Sequence, residues 1–487
     1  MKNTQSVRAV LSDTGILIKD QQAQRAFYQH DNSSLVSCIS CQTNDSFQTP
    51  TKSIPFPDIL SARYLDDDDA DLSSLASPVV EVVFARRKKS HLLPTSVTLQ
   101  IDDLGYDDLI DEIYKKSYPC TRPNKSILVL INPHGGKGKA MKLFLKKAKP
   151  ILIAANAKVE VVETKYSKHA TDIARELDIN KYDMIACASG DGVPYEVFNG
   201  FYERSDRAEA FNKVPVTQIP CGSGNAMAES CLGTSEPSFA ALAILKASDV
   251  SIDLMAVTQD NHTTVSFLSQ TFGFIADGDL GTEYLRFLGS IRFDLGVAYK
   301  MLLRARYPCE ISIKYAAKSK DELRVLYHDY KNGEYDNEEV DEVLESNLKL
   351  RYDPNGPIPE DWENVNQDFA DNIGIFYTGA MPYVSKDVQF FPAALPNDGS
   401  FDLVMMDGRT SLTRQTPILL SLESGKHVTA PEVQHSKVLA YRLTPKYSDG
   451  LLSVDGERYP LKPLQVEVLP KAAKTLMKNG TYVETNF

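Results

Sequence analysis

Ser189-Gly190-Asp191-Gly192 sets one carboxylate between two glycines. A carboxylate in that setting can accept a proton from a hydroxyl group. The missing side chains let a ligand approach the backbone on both sides of it. Read alone, the tetrapeptide serves equally as an ordinary strand-to-helix turn with a capping Asp. Two more glycine turns alter that balance: Asn132-Pro133-His134-Gly135-Gly136-Lys137-Gly138-Lys139 and Pro220-Cys221-Gly222-Ser223-Gly224-Asn225. Backbone N–H groups at such turns, where a strand hands over to a helix, can hold phosphate. The first turn lacks the Walker A spacing, and Ala140 stands where the magnesium-binding hydroxyl would be. It is not G-x-G-x-x-G either, which disfavours a dinucleotide fold. Three such turns at successive strand ends would converge on one edge of a sheet.

The flanking segments supply that sheet. KSILVLINP, KVEVVETK, YDMIACAS and PVTQIPC read as strands. AMKLFLKKAKPILIAAN, HATDIARELD, VPYEVFNGFYE and GNAMAESCL read as helices between them. The alternation predicts a mostly parallel α/β domain over 121–255, with ligands at the carboxyl ends of its strands. Residues 1–120 read instead as short β-rich runs closed by one amphipathic helix in LGYDDLIDEIYKKSY, with a hairpin turn at Asp13-Thr14-Gly15. Strands followed by a terminal helix resemble a pleckstrin-homology-like module, a likeness of fold that carries no ligand. Asp66 to Asp69 reads as a solvated loop, and Arg86-Arg87-Lys88-Lys89 as a basic hairpin end. From 256 to 487 the chain is extended, in VSFLSQTFGFIAD, CEISIKYA, LRVLYHDY, NIGIFYTGA, FDLVMMD and KVLAYRLTP, with an acidic insertion at about 331–368. This predicts a second, mostly antiparallel domain. The segment 286–308 is apolar yet carries several arginines, and a helix there would suit a lipid channel or a domain contact.

Composition excludes several classes. The chain has 487 residues and a net charge of -12, which argues against a broad nucleic-acid surface. No apolar run reaches the roughly 18 residues of a spanning helix. The first residues carry neither a signal core nor a myristoylation glycine, and the last ones no prenylation box. The seven cysteines suit a reducing compartment, so a cytoplasmic location is expected. Cys38 and Cys41 form one C-x-x-C, and no second pair at zinc spacing accompanies it.

NPHGGKGKA, SGDGVPYEVFNG and IPCGSGNAMA, in that order, resemble the lipid-kinase family with a diacylglycerol-kinase-type catalytic domain. FLSQTFGFIADGDLGTEYLRFLGSIRFDLG is similar to the substrate region of sphingosine kinases, the fungal long-chain-base kinases included. Ser189, where diacylglycerol kinases usually have glycine, favours that branch. The resemblance spans about residues 120 to 487. It implies an α/β nucleotide domain, a C-terminal β-sandwich domain and an active site in the cleft between them. It further implies ATP-dependent phosphorylation of the primary hydroxyl of a sphingoid base.

Residue by residue, the resemblance implies nucleotide contacts at Asn132, Pro133 and His134, with His134 departing from the usual Arg. It implies others at Thr164, Lys165, Tyr166, Ser167 and Lys168, at Glu196, and at Gly222, Ser223 and Gly224. Asp455, Gly456 and Glu457 would join them, and Arg286 and Arg292 would hold phosphate. Ser189, Gly190, Asp191, Gly192, Ser269 and Asp279 would meet the substrate, with Asp191 as general base and Asp279 at the polar head. No protein cage for a metal is expected; Mg²⁺ would arrive on ATP. Peripheral contact with intracellular or plasma membranes follows from the substrate, and a homodimer stays open. The alternatives are ceramide or diacylglycerol phosphorylation by the same fold, or a non-catalytic lipid-binding scaffold.

Overall fold

A computed structural model of the chain describes residues 7–19, 52–65, 78–102, 108–281, 305–333 and 342–487. It divides into two compact units, Met1–Lys125 with Lys149–Lys158, and Ser126–Ala148 with Val159–Phe487.

In the first unit six strands form one sheet, in the order Lys52–Pro55, Gly15–Ile18, Val7–Leu11, His91–Ile101, Val79–Lys88, Ile59–Tyr64. Val7–Leu11 and His91–Ile101 run parallel, whereas the other described neighbours are antiparallel. Alternating burial along Val7–Leu11 marks a half-covered sheet. The cover includes the helix Leu109–Ser117, whose Leu109 and Ile113 join Val80, Leu99 and Ile101 in one core. Asp108 caps that helix, accepting from the amides of Ile110 and Asp111. The hairpin turn falls where expected: Leu11 pairs with Ile16, and Ser12 Oγ accepts from Gly15 N at 3.1 Å.

The second unit holds the predicted α/β layer. Its four-stranded sheet has the order Val216–Pro220, Met184–Ser189, Ser126–Ile131, Lys158–Glu163. The first three are parallel, with Pro220 opposite Ser189 and Ile127 opposite Met184. Met184–Ser189 and Val216–Pro220 are buried along their whole length, as strands covered on both faces must be. Each is followed by a short turn and a helix, Gly192–Tyr202 and Ala226–Leu232.

The rest of this unit is an eleven-stranded antiparallel sheet that curls around a common core. Phe272, Ile375, Leu403, Tyr441, Val454 and Val466 meet in that core, although they come from six different strands. The expected β-rich C-terminal architecture therefore holds. LRVLYHDY departs from expectation: it lies in the helix Lys320–Lys331. A capping box starts that helix, with Ser319 Oγ accepting from Glu322 N and the Glu322 carboxylate accepting from Ser319 N. Leu323, Leu326, Tyr327 and Tyr330 then share one face against Ala317, Ala393 and Leu395. The helical period competes with the β-branched and aromatic content of the segment, and tertiary burial of that face decides the outcome.

Candidate active site

The three glycine turns meet. A Cβ placed on Gly222 would lie 2.2 Å from Cα of Gly190, so the second and third turns pack backbone against backbone. A Cβ on Gly135 would lie 3.3 Å from Ser189 Oγ, which brings the first turn to the same place. Asn132 shapes that first turn by accepting from His134 N through its side chain and from Gly135 N through its carbonyl. His134 itself is exposed. In the third turn Asn225 folds back on Gly222, accepting from its amide and donating to its carbonyl. Among the described residues, the amides of Ser223 and Gly224 have no acceptor. They are donors at a helix N-terminus, the chemistry that suits a phosphate.

Asp191 stands at the centre. Its carboxylate does not cap its own helix but the start of the helix Ala226–Leu232. Oδ2 accepts from Ala226 N at 3.1 Å, and Oδ1 accepts from Met227 N at 3.2 Å and from Gln218 Nε2 at 3.1 Å. Part of the residue reaches solvent while the carboxylate is packed among these donors. Burial pushes its pKa up, and the three hydrogen bonds work against that rise. Ser189, beside it, is buried.

Glu196, one turn along the helix Gly192–Tyr202, accepts from the amides of Lys168 and Ala170 at 3.0 and 2.9 Å. It thereby fixes the start of the helix His169–Glu176 and the end of the segment Thr164–Lys168. Lys168 takes a left-handed φ of 68° there. Tyr166 is exposed, and its hydroxyl donates to Asp172. Lys165 N donates to His169 Nδ1, Thr164 N donates to the carbonyl of Ile131, and Ser167 is exposed. This segment follows the strand Lys158–Glu163 at the same edge of the sheet.

From the curled sheet a hairpin reaches the same site. Its strands are Leu452–Val454 and Glu457–Tyr459, and Asp455 and Gly456 form the turn. The two acidic residues do different things. Asp455 points inward: its carboxylate accepts from Ser266 Oγ at 2.6 Å and from the amides of Phe267, Leu268 and Ser269 at 2.9, 3.1 and 2.8 Å. Burial pushes its pKa up to about 6 against those bonds. Glu457 is exposed, and its Oε1 lies 3.4 Å from where a Cβ on Gly192 would stand. Tyr459 anchors the hairpin, its hydroxyl 2.6 Å from that of Tyr195 and 2.7 Å from Thr264 Oγ1.

Ser269, held by Asp455, is buried, with its hydroxyl directed to Tyr377. Asp279 is the last residue of the helix Phe274–Asp279, and its side chain lies outside the described residues. Its neighbour Asp277 is buried and accepts from Tyr307 OH at 2.6 Å. Arg286, Arg292, most of the segment 286–308, and Cys38 with Cys41 also lie outside the described residues. Among the described residues no group of three or more His, Cys, Asp or Glu side chains could hold a metal ion.

Gln218, Tyr195 and Tyr459 escape a reading of motifs. A polar side chain in the otherwise apolar run VTQIP is the signal that could have singled out Gln218.

Comparison with known proteins gives this arrangement a family. Residues 126–257 match the family described as diacylglycerol kinase catalytic domain, and residues 375–477 match the YegS C-terminal NAD kinase beta sandwich-like domain. The chain is 48% identical over 470 residues to sphingoid long chain base kinase 5 of Saccharomyces cerevisiae, covering 84% of this chain and 68% of that protein. It is 34% identical over 372 residues to sphingoid long chain base kinase 4 of Schizosaccharomyces pombe, covering 76% and 79%. With sphingosine kinase 1 of Rattus norvegicus it shares 30% identity over 364 residues, covering 71% and 88%. With its converging glycine turns, its curled C-terminal sheet and likeness of this extent, the chain belongs to the sphingosine and sphingoid long-chain-base kinase family.

Proposed function

We propose that the protein transfers the γ-phosphoryl group of ATP to the primary hydroxyl of a sphingoid long-chain base, with Asp191 as general base. The observation that carries this reading is the carboxylate of Asp191, set where three glycine turns meet and keeping acceptor capacity on Oδ2. Membership of the family supports the lipid substrate. An alcohol is a weak nucleophile at neutral pH, and a placed carboxylate removes its proton as the new bond forms. The substrate oxygen bonds to the γ-phosphorus, its proton passes to Asp191, and the bond to the leaving oxygen of ADP breaks. The amides of Ser223 and Gly224 would donate to the phosphates, and Asn132, Pro133, His134, Thr164–Lys168, Arg286 and Arg292 would complete the nucleotide site. Mg²⁺ carried by the nucleotide would neutralise phosphate charge. The exposed Glu457 fits an outer contact with that ion, whereas the inward Asp455 shapes the turn that carries Ser269. Asp279 would pair with the ammonium or a hydroxyl of the head group. Contact with a membrane follows from such a substrate; no helix among the described residues is long and apolar enough to cross one.

Purified protein with labelled ATP, offered sphinganine, phytosphingosine, ceramide and diacylglycerol in turn, tests the substrate. Transfer to the first two is expected, and transfer to the neutral lipids alone would overturn the reading. Asp191→Asn should lower kcat by about 10²- to 10⁴-fold with the fold kept. Near-normal turnover in that variant would remove Asp191 from the role of base.

A further inference from the structure

Gln218 lies on the strand Val216–Pro220 and is fully shut from solvent. A buried primary amide needs partners for both its carbonyl and its NH₂ group. Ala228 N donates to Gln218 Oε1 at 2.9 Å, and this decides which way the amide faces. The NH₂ group then turns to the second glycine turn, 3.1 Å from Asp191 Oδ1 and 3.4 Å from the carbonyl of Ser189. Reversal would set the amide oxygen against two other oxygens and the NH₂ group against an N–H. In its one orientation Gln218 offers Asp191 only donors, so it suits the carboxylate and opposes a proton on Oδ1.

The helix Ala226–Leu232 enforces the same arrangement. Its first three N–H groups have no partner within the helix. Two of them go to Asp191 and the third to Gln218, while the preceding Asn225 is occupied with Gly222. Oδ1 of Asp191 therefore accepts twice and Oδ2 once. A carboxylate oxygen can accept twice. The remaining capacity on Oδ2 lies beside Gly224, where a Cβ would stand 3.0 Å away.

We propose that Gln218 is a positioning residue for phosphoryl transfer, which saturates Oδ1 of Asp191 and leaves Oδ2 as the oxygen that receives the substrate proton. This inference rests on the reading of Asp191 as base. The titratable side chains on the surrounding elements are Cys187 on the strand leading in, Tyr195, Glu196 and Tyr202 on the helix leading out, Cys221, Glu229 and Cys231 on the third turn and its helix, His134 and Lys139 on the first turn, and Asp455, Glu457, Arg458 and Tyr459 on the hairpin. Among the described residues none of these hydrogen-bonds the Asp191 carboxylate, whose donors are Gln218 and the two amides. Burial raises the pKa of Asp191, and the Gln218 bond is one of the effects that lower it.

The test is the pH dependence of kcat/KM in Gln218→Met, which keeps the length of the side chain and loses its donor, and in Gln218→Glu, which keeps the shape. Loss of one hydrogen bond to a charged group should move the acid limb of the profile up by about one pH unit in the Met variant. Activity should return to within a few-fold of the parent above the new limb, with KM for ATP unchanged. The Glu variant should move the limb in the same direction and further, because it adds a second acid beside Asp191. A limb that stays in place while activity falls evenly at every pH, in whichever variant folds, would reduce Gln218 to a packing residue and overturn the proposal. Asp191→Asn separates the two readings. If it stays active, the base assignment fails; if it is dead while the limb in the Gln218 variants is unmoved, only the role of Gln218 fails.

Discussion

A methyl group at position 222 and one at position 224 have different consequences, although the two residues are near neighbours in one glycine turn. At Gly222 a Cβ would fall 2.2 Å from the backbone of Gly190, and backbone cannot swing aside. Gly222→Ala should therefore cost stability and activity together. At Gly224 a Cβ would meet Asp191 Oδ2 at 3.0 Å, and φ there is not left-handed. Gly224→Ala should keep its Tm within about 2 °C and lower kcat roughly tenfold, by crowding the oxygen with open acceptor capacity. Thermal melts beside steady-state kinetics distinguish the two. An equal loss of Tm in both variants would sink the idea that Gly224 is kept for access and not for packing. The glycine pattern was legible in the sequence. Which glycine serves packing and which serves access was not, since that depends on contacts between turns about thirty residues apart.

At the scale of elements, the hairpin of Leu452–Val454 and Glu457–Tyr459 acts as a bracket. Asp455 holds the amides of Phe267, Leu268 and Ser269 from one side, and Tyr459 grips Tyr195 and Thr264 from the other. Tyr195 sits one turn into the helix that starts at Gly192, so the hydroxyl pair ties the curled sheet to the glycine turn that carries Asp191. Tyr459→Phe removes the shared hydroxyl at a cost of about 1 kcal/mol per hydrogen bond. With Glu457 read as a nucleotide contact, the expected result is a rise in KM for ATP of about three- to tenfold and little change in kcat. An unchanged KM would mean that the bracket does not set the position of Glu457. The acidic pair was visible in the sequence as V-D-G-E. Its division into an inward Asp455 and an outward Glu457 follows from the left-handed φ of 51° at Asp455, which turns successive side chains to different sides of the hairpin end.

At the scale of the whole second unit, a buried ionic knot joins the paired strands Phe401–Asp407 and Val433–Pro445. Lys437 Nζ lies 2.7 Å from Asp398 Oδ2, and His435 Nε2 lies 2.5 Å from Asp402 Oδ1, all four side chains almost fully buried. Asp253 is close to this group and accepts from the amides of Gly399 and Lys471. Burial, and after it the charge of Asp398, push its pKa up to about 8. The folded chain therefore keeps a proton on Asp253 up to about pH 8, whereas the unfolded chain loses it near pH 4. Between those values the folded state binds more protons, so stability is greatest at the low end and falls as pH rises towards 8. Asp253→Asn cannot ionise and should flatten the decline in Tm between pH 6 and 8.5. Parallel curves for parent and variant would show that Asp253 is already charged in the fold.

The sequence by itself determined the β-rich start, the α/β layer with its three glycine turns, the extended C-terminal half and the position of Asp191 at the central turn. These are carried by local signals: the period of apolar residues, and glycines at strand ends. LRVLYHDY shows where local signals conflict, because its composition suits a strand and only the capping box at Ser319 and the burial of Leu323 and Tyr327 make it a helix. Tertiary structure alone decided what the central carboxylate touches. The parallel register that sets Pro220 opposite Ser189 brings Gln218 and the start of Ala226–Leu232 to Asp191. It thereby caps one helix with a residue that precedes another. Cross-strand register depends on the packing of whole elements and leaves no mark at the residues it joins, so Gln218 could be seen as a polar residue in an apolar strand but not as the partner of Asp191.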